Sequence, residues 1–237
     1  MKIIGTCVSC NHKYCARKVS LFENFSNEML GQVTRLIKRI QIEKGQTLFS
    51  EGEPFHKLYI VNGGSLKIFR HNKEGKEQIL YILSEGEFIG DINLLKGDIF
   101  DFSAVALEDS HICTISKADF DGLIESYPEL IPAIMASAYD RIRSLEELVQ
   151  TLTIKDVDTR LSKLLIHLSE EFGVRTKEGI EIPLKLTREE MASYIGLTRE
   201  TISRKLSGFQ TNGLIKIIDN QSILIVSYEK LLDLGEL

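Results

Sequence analysis

Residues 186–206 read LTREEMASYIGLTRETISRKL, and this stretch decides the fold of the C-terminal part of the chain. Thr187 and Glu190 have the spacing of a capping box, so we expect a helix to begin at Thr187. Gly196 marks a turn, and the hydroxyl of Thr198 can cap a second helix. The stretch therefore predicts two helices joined by a tight turn, the pattern of a helix-turn-helix.

The second predicted helix has a polar outer face. Ile202 and Leu206 are expected to face inward, which leaves polar side chains near the start of an exposed helix, as base reading in a major groove requires. Beyond it, two apolar runs at residues 215–218 and 222–226 flank an Asp-Asn turn, so we expect a hairpin wing. An ordinary pair of surface helices would need neither the wing nor the two caps. The residues expected to contact DNA are Thr198, Arg199, Glu200, Ser203, Arg204 and Lys205.

The charge distribution agrees with a local nucleic-acid site. The chain of 237 residues carries a formal net charge of −5. Residues 185–216 contain six basic and three acidic residues, which gives a local net charge of +3. This basic patch indicates binding through one surface rather than through the field of the whole molecule.

A long helix with a heptad repeat is expected after Pro128, because seven apolar residues recur in alternating steps of four and three. β-Branched Ile142 and Val149 occupy one seam position, with Leu145 and Leu152 at the other, which favours a parallel two-stranded coiled coil and hence a homodimer. The alternative is a helix packed on its own domain, which usually has a wider apolar face. The expected dimerisation residues are Ile131, Met135, Ala138, Ile142, Leu145, Val149 and Leu152.

Residues 40–115 have the pattern of a β-rich domain. Five glycines, at positions 52, 64, 75, 86 and 97, fall eleven or twelve residues apart. This regular spacing of turn signals favours a β-sandwich or barrel. The segments richest in β-formers are residues 57–61, 65–69, 78–83 and 103–107.

A second helical run is expected at residues 157–172, after the long helix.

The four cysteines are unevenly placed. Cys7, Cys10 and Cys15 lie in the first fifteen residues, and Cys113 lies 98 positions beyond the last of them. Four thiols in this arrangement can close on one metal site. Their number and clustered spacing indicate a reducing compartment and a metal or redox role rather than a secreted disulfide scaffold.

Other function classes find no support in the sequence. No run approaches the ~20 consecutive apolar residues of a membrane span, and the apolar start is too short for a signal peptide, so we expect a cytoplasmic protein without a membrane partner. The chain has no phosphate-cradling glycine loop, no nucleophile elbow and no clustered His/Glu motif of the HExxH kind on a helix. An iron–sulfur or zinc enzyme is therefore not expected.

Several segments resemble the Crp/Fnr family of bacterial transcription regulators, and the resemblance covers essentially the whole chain. The segments similar to the family's sensory β-roll are residues 45–52, 58–64, 74–79 and 86–90, and residues 186–214 are similar to its winged helix. The resemblance implies an α+β fold. Its parts are an N-terminal double-stranded β-helix of the jelly-roll, cyclic-nucleotide-binding-like type, a long dimerisation helix and a C-terminal winged helix-turn-helix.

The resemblance also implies the domain organisation and the partners. The implied parts are an N-terminal cysteine-rich segment (residues 1–20), a sensory β-roll domain (21–128), a dimerisation helix (129–155) and a DNA-binding domain (156–237). We expect a homodimer that binds a palindromic promoter site in double-stranded DNA, with RNA polymerase as a further partner.

The half-site is indicated by the recognition helix. Glu200, Ser203 and Arg204 match the Fnr-type pattern Glu-x-x-Ser-Arg, which implies half-sites like TTGA. Arg199 is instead shared with the cyclic-AMP branch, which reads TGTGA. The sequence therefore leaves the half-site open between the two.

The sensory domain departs from the cyclic-nucleotide branch of the family. That branch uses a Gly-Glu pair for the ribose and an arginine for the phosphate, because a buried anion needs a cationic partner. The corresponding residues here are Gly90-Asp91 and Phe102-Ser103-Ala104. Phe102 stands where the arginine is required, so no cyclic nucleotide is expected as a cofactor.

The cysteines instead resemble the Fnr branch, in which three N-terminal cysteines and one from the β-roll hold an oxygen-labile 4Fe-4S cluster. The resemblance implies one cluster per subunit, bound by Cys7, Cys10, Cys15 and Cys113. Thiolates are the ligands that iron–sulfur iron selects, and four are needed.

Other sensors stay open at this point. The three N-terminal cysteines could hold tetrahedral zinc together with either His12 or Cys113. Cys113 and one N-terminal cysteine could instead form a switching disulfide. A haem sensor with His56, His71 or His111 as axial ligand would leave the four cysteines unexplained.

Overall fold

The structure of the chain is a computed structural model that describes residues 2–6, 15–96, 99–219 and 222–236. The chain folds as two compact units. The first comprises Met1–Arg70 and Leu80–Ser144, and the second comprises His71–Ile79 and Leu145–Leu237. This division passes through a long helix and a β-hairpin, so it differs from the domain boundaries expected from the sequence, which stay a prediction.

Two antiparallel sheets form the first unit, together with the hairpin whose tip belongs to the second. The strands are β1 (Lys2–Thr6), β2 (Lys38–Ile42), β3 (Thr47–Phe49), β4 (Lys57–Gly63), β5 (Leu66–His71), β6 (Glu77–Leu83), β7 (Phe88–Ile89), β8 (Ser103–Ala106) and β9 (Ser110–Ser116). One sheet has the order β1-β2-β9-β4-β7 and the other β3-β8-β5-β6. The expected β-roll is therefore confirmed, with each of the four β-rich segments lying on a strand.

The glycine spacing corresponds to turns between these strands. Gly52, Gly64, Gly75 and Gly86 all have positive φ, the left-handed conformation that glycine adopts most readily. The fifth glycine of the series, Gly97, lies outside the described residues. At Gly86 a Cβ atom would also lie 2.8 Å from the carbonyl oxygen of Lys18, so only glycine allows the two segments to approach this closely.

Helices close the first unit around an apolar core. They are α1 (Asn27–Leu36), α2 (Asp91–Lys96), α3 (Lys117–Ser126) and the long α4 (Leu130–Thr153). Phe22, Leu58, Leu66 and Phe120 are fully buried in this core. Pro132 lies in the first turn of α4, where a helix leaves its N–H groups unused and proline is tolerated.

Helices and a small sheet make up the second unit. They are α5 (Val157–Phe172), α6 (Arg188–Ile195), α7 (Arg199–Thr211), α8 (Tyr228–Glu236), β10 (Val174–Arg175), β11 (Ile180–Pro183), β12 (Ile215–Ile217) and β13 (Ser222–Ile225). The helical run expected at residues 157–172 is confirmed as α5. Asp156 caps it by accepting a hydrogen bond of 2.7 Å from the Thr159 N–H, and hydrogen bonds from Thr159 lower the pKa of Asp156 below its ordinary value.

The predicted hairpin wing is confirmed and is part of a wider sheet. β12 and β13 pair antiparallel, with Ile215 opposite Ile225 and Ile217 opposite Ile223. The sheet order is β10-β11-β13-β12, and β10 and β11 were not expected from the sequence. In the described part of the chain, no helix combines the length and the apolar character that a membrane span requires.

Candidate functional site

The helix-turn-helix is held in shape by its caps. Thr187 and Glu190 form the expected capping box, with the Glu190 N–H donating to Thr187 Oγ1 at 3.2 Å and the Thr187 N–H donating to Glu190 Oε2 at 2.9 Å. Gly196 ends α6 in the left-handed conformation, with φ of 67°. Thr198 caps α7 by accepting from the Thr201 N–H at 3.3 Å. These local bonds fix the angle between the two helices.

α7 has one buried and one exposed face, as the sequence predicted. Ile202, Leu206 and Phe209 are buried in the second unit. The exposed face carries two guanidinium groups, one carboxylate and one hydroxyl. These exposed side chains belong to Arg199, Glu200, Ser203 and Arg204.

Lys205 differs from those four residues in its surroundings. Its ammonium group donates to Asp158 Oδ2 at 2.8 Å, and the side chains of Lys205 and Asp158 are 32% and 35% exposed. Asp158 is the second residue of α5, so the ion pair joins the flank of α7 to another helix. The side chain of Lys205 is therefore engaged by protein on the inner flank of α7.

α6 is fixed by contacts that the sequence did not indicate. The Arg160 guanidinium donates to the carbonyl of Ile195 at 3.2 Å, at the carbonyl end of the helix, where a cation is favourable. The ring of Tyr194 stacks on His167 with centroids 6.0 Å apart, and burial raises the pKa of Tyr194 to about 12. These contacts hold the first helix of the pair against α5.

The tip of the β5–β6 hairpin also contacts α6 within the second unit. The Gln78 amide donates to the carbonyl of Tyr194 at 3.2 Å, and the Ser193 hydroxyl donates to the carbonyl of Glu77 at 2.7 Å. The two bonds join a strand end and a helix that are 116 residues apart in sequence, which no local pattern could have predicted.

Part of the cysteine set lies within the described residues. Cys113 lies on β9 and is 3% exposed. Cys15 begins a short 3-10 turn, Cys15–Lys18, while Cys7 and Cys10 lie outside the described residues, as does His12. Among the side chains that the structure describes, no three or more His, Cys, Asp and Glu form a group that could hold a metal.

The sheet register relates the start of the chain to Cys113. Gly5 on β1 pairs with Arg39 on β2, and Arg39 pairs in turn with Cys113 on β9. Strands are spaced by roughly 4.8 Å, so the backbone of Gly5 lies about 10 Å from that of Cys113. β1 ends at Thr6, the residue before Cys7.

The segment that follows Cys15 packs on the turn between β6 and β7. Ala16 and Val19 are buried in the core of the first unit. Lys18 forms an exposed ion pair of 2.7 Å with Glu85, next to the close approach at Gly86. The end of the cysteine-rich segment is thus attached to the β-roll by packing and by backbone contact.

An aromatic cluster lies beside the segment that corresponds to the cyclic-nucleotide site. The rings of Phe49 and Phe100 stack with centroids 3.6 Å apart. Phe102, which stands where the phosphate-binding arginine was expected, has its ring centroid 6.0 Å from that of Phe49 and 6.1 Å from that of Phe100. Ser103 accepts a hydrogen bond of 3.0 Å from the Glu51 N–H. These side chains bind one another and place no cation at position 102.

The Gly90-Asp91 segment, which corresponds to the ribose-binding pair, is joined to α4 by a buried ion pair. Asp91 is 0% exposed, and its Oδ1 accepts from the Arg141 guanidinium at 2.8 Å. Arg141 also donates to the carbonyl of Phe88 at 2.8 Å and to the Ser137 hydroxyl at 3.1 Å. Arg141 was not predicted from the sequence, in which the available signal was an arginine next to a seam residue of the expected helix.

The predicted seam of α4 is an exposed apolar stripe in the single chain. Ile131, Met135, Ile142, Leu145 and Val149 are exposed, whereas Ala138 and Leu152 are partly buried. Tyr139 extends the stripe and is 61% exposed. A wide core-facing surface was the alternative for this helix, and the exposed stripe disagrees with it. A neighbouring side of α4, about a quarter turn away, is buried through Leu130, Ile134 and Leu148.

Family models match both halves of the chain. The model described as the cyclic nucleotide-binding domain matches residues 39–127, and the model described as the Crp-like helix-turn-helix domain matches residues 159–234. A β-roll followed by a winged helix-turn-helix defines a class of DNA-binding transcription regulators.

Individual proteins are similar over most of the chain. The fumarate and nitrate reduction regulatory protein of Vibrio cholerae is 32% identical over 207 residues, which are 87% of this chain and 82% of that protein. The CRP-like cAMP-activated global transcriptional regulator of Mycobacterium tuberculosis is 26% identical, over 90% of this chain and 95% of that protein. The structure of FixK2 from Bradyrhizobium japonicum shares the fold, with a TM-score of 0.75 at 20% identity over 84% of this chain and 96% of that one.

The chain belongs to the Crp/Fnr family of transcription regulators. The higher identity to the fumarate and nitrate reduction regulator supports the Fnr-like branch within it. The relatives are named as regulators of transcription, and the chain is a regulator rather than an enzyme.

The Arg141–Asp91 pair gives a first prediction. Arg141→Met should lower the free energy of unfolding by about 3 kcal/mol or more, because it leaves a buried carboxylate without its cation. Urea unfolding followed by circular dichroism measures this change. Arg35→Met is the matched control, since Arg35 is exposed on α1, and it should change stability by less than about 0.5 kcal/mol. Equal stability of the two variants would contradict a structural role for the pair.

Proposed function

We propose that this chain senses oxygen or redox state through a 4Fe-4S cluster and binds palindromic promoter DNA as a homodimer, with RNA polymerase as its partner at the promoter. The proposed cluster ligands are Cys7, Cys10, Cys15 and Cys113. The observation that supports the sensor proposal is the strand register. β1, which ends just before Cys7, pairs with β2, and β2 pairs with β9, which carries the buried Cys113.

The donor set fits this group by its chemistry. Cys113 is buried among apolar side chains, where a thiolate is costly unless a cation lies next to it, and iron ions would supply that positive charge. The sequence contains four cysteines, the number that a cubane cluster takes. When bound, the cluster supplies an oxidant-sensitive group.

Contacts within the first unit support a link between this sensor and dimerisation. Lys18, just after Cys15, pairs with Glu85 and contacts Gly86. Two residues further on, the carbonyl of Phe88 accepts from Arg141 of α4. A change at the cysteine-rich segment would therefore be transmitted through these few packed residues to α4, the helix that carries the exposed seam. We propose that the state of the cluster shifts the balance between monomer and dimer.

The exposed face of α7 supports base-specific DNA binding. Arg204 can donate two bonds to a guanine, Glu200 can accept from a cytosine amino group, and Ser203 can contact a thymine. All three side chains are exposed on one face of the helix. We propose TTGA as the half-site, in agreement with the Fnr-type pattern and with the higher identity to the Vibrio cholerae regulator.

Iron analysis tests the sensor. Protein purified without oxygen should contain about four irons per chain, and Cys113→Ser should lose iron as completely as Cys7→Ser, because each ligand holds one corner of the cube. Iron and acid-labile sulfide are the quantities to measure. Thr114→Ser, in the next position of the same strand, is the control and should keep its iron.

The other outcomes of this experiment distinguish the alternatives. Iron retained in Cys113→Ser would contradict the proposed ligand set. Near-stoichiometric zinc in both forms would support a zinc site, whereas a colourless protein that forms a disulfide in air would support a thiol switch. A Soret band would indicate haem.

A charge placed on the seam tests the dimer. Ile142 is 55% exposed in the single chain, so Ile142→Glu should leave the fold intact. In a dimer it would set two carboxylates opposite each other in a desolvated seam and cost several kcal/mol of association free energy. Analytical ultracentrifugation of the cluster-loaded protein should therefore show monomers, and binding to a palindromic duplex should be lost.

Gln150→Glu is the control for the seam variant. Gln150 is exposed on α4 but lies outside the predicted seam, so this variant should dimerise normally. A monomeric Ile142→Glu protein that binds a palindrome with wild-type affinity would contradict the proposed interface.

Selection from random DNA tests the recognition helix. Arg204→Ala should remove one guanine contact per half-site, which costs about 1–3 kcal/mol and relaxes the preference at that base pair. Ser207→Ala, one turn further along the exposed side, should leave the selected sequence unchanged. Enrichment of TGTGA instead of TTGA would indicate that Arg199 takes part, and an unchanged sequence and affinity in Arg204→Ala would show that base reading lies elsewhere.

A further inference from the structure

The ion pair between Lys205 and Asp158 separates Lys205 from the residues that face DNA. Lys205 follows Arg204 in α7 and precedes buried Leu206. Each helical step turns the side chain by about 100°, so Lys205 lies between the exposed face and the buried face. Its ammonium reaches 2.8 Å from Asp158 Oδ2, which places the charge on the flank that packs against α5.

Asp158 depends on this cation. Its Oδ1 is buried and has no hydrogen-bond partner among the residues that the structure describes, while Oδ2 accepts from Lys205. The side chain is about one-third exposed, so water screens it in part. A carboxylate in this position is satisfied chiefly by the lysine opposite it.

We propose that Lys205 is a positioning residue that fixes the recognition helix to α5, and that it is not one of the DNA contacts that the sequence had indicated. A lysine whose charge is already neutralised by a carboxylate releases few counterions when DNA binds. Fixing the inner flank of α7 instead sets the orientation in which Arg199, Glu200 and Arg204 meet the base edges. The pair would therefore contribute to discrimination between DNA sequences. This inference rests on DNA binding by the helix-turn-helix and is independent of the sensor and of the half-site.

Substituting Asp158 and Lys205 one at a time distinguishes a phosphate contact from a role in positioning the helix. If Lys205 contacted phosphate, Asp158→Asn would release its charge, strengthen binding to any DNA and steepen the salt dependence. If the pair positions the helix, Asp158→Asn and Lys205→Met should each weaken binding to the preferred sequence. The sign of the Asp158→Asn effect is therefore opposite in the two cases.

The experiment uses the full chain and two duplexes of equal length, one enriched from random DNA by the wild-type protein and one with a scrambled sequence. Affinity for each duplex is measured over a range of salt concentrations. Both single variants should bind the enriched duplex about two- to tenfold more weakly than wild type. The ratio of the affinities for the enriched and scrambled duplexes should fall, and the dependence of affinity on salt should stay unchanged. The double variant should bind no more weakly than either single one, because the two residues act as one pair. Lys230→Met, an exposed lysine on α8, is the matched control and should behave as wild type.

Two results would overturn the proposal. In the first, Lys205→Met lowers the slope of log affinity against log salt concentration by about 1 per subunit and weakens binding to both duplexes equally, while Asp158→Asn binds more tightly. These results together would identify a phosphate contact. The other is a lower Tm in the single variants with wild-type affinity and wild-type discrimination, which identifies a pair that serves stability alone. The double variant removes both charges and so leaves no unpaired charge. If a single variant folds poorly, the affinities of the double variant and the wild type can still be compared.

Discussion

The buried carboxylate of Asp91 constrains the arrangement of the first unit. A carboxylate with no exposure to water is costly unless a cation lies within hydrogen-bond distance, and Arg141 of α4 supplies that cation at 2.8 Å. The same guanidinium donates to the carbonyl of Phe88, so one side chain ties α4 to both ends of a short β-roll segment. This side of α4 packs on the β-roll, whereas the apolar residues on the neighbouring side of the helix, Met135 and Ile142 among them, are exposed.

Two segments distinguish the β-roll of this chain from the cyclic-nucleotide pattern, one with Asp91 and one with Phe102. Phosphate binding needs a cation, but Phe102 packs at that position with Phe49 and Phe100. The acidic residue of the segment, Asp91, pairs with a protein cation. Aromatic packing and a charge pair thus occupy the two positions that correspond to the nucleotide contacts, and both stabilise the unit. The cysteine-rich start of the chain offers the chemistry for the sensor proposed above.

The fold could be predicted largely because its signals are local. The caps at Thr187 and Thr198 and the apolar run of α5 depend on neighbours within a few residues, and the structure confirms each of them. The missed contacts join distant positions. Asp91 and Arg141 are 50 residues apart, and Asp158 and Lys205 are 47 residues apart. Periodicity shows which face of a helix is buried, but it does not identify the partner of a charge on the flank.

The recognition helix shows how that limit affects a functional interpretation. Counting charges over residues 185–216 gives +3, and this count includes Lys205. Asp158 lies outside that range in sequence but is bonded to Lys205 in space, so the pair together contributes nothing to the count, which falls to +2. The charge that faces outward on α7 then comes chiefly from the guanidinium groups of Arg199 and Arg204, balanced in part by Glu200. A surface of this kind has few charges available for phosphates and several groups suited to base edges, so its selectivity would depend on how accurately α7 is held.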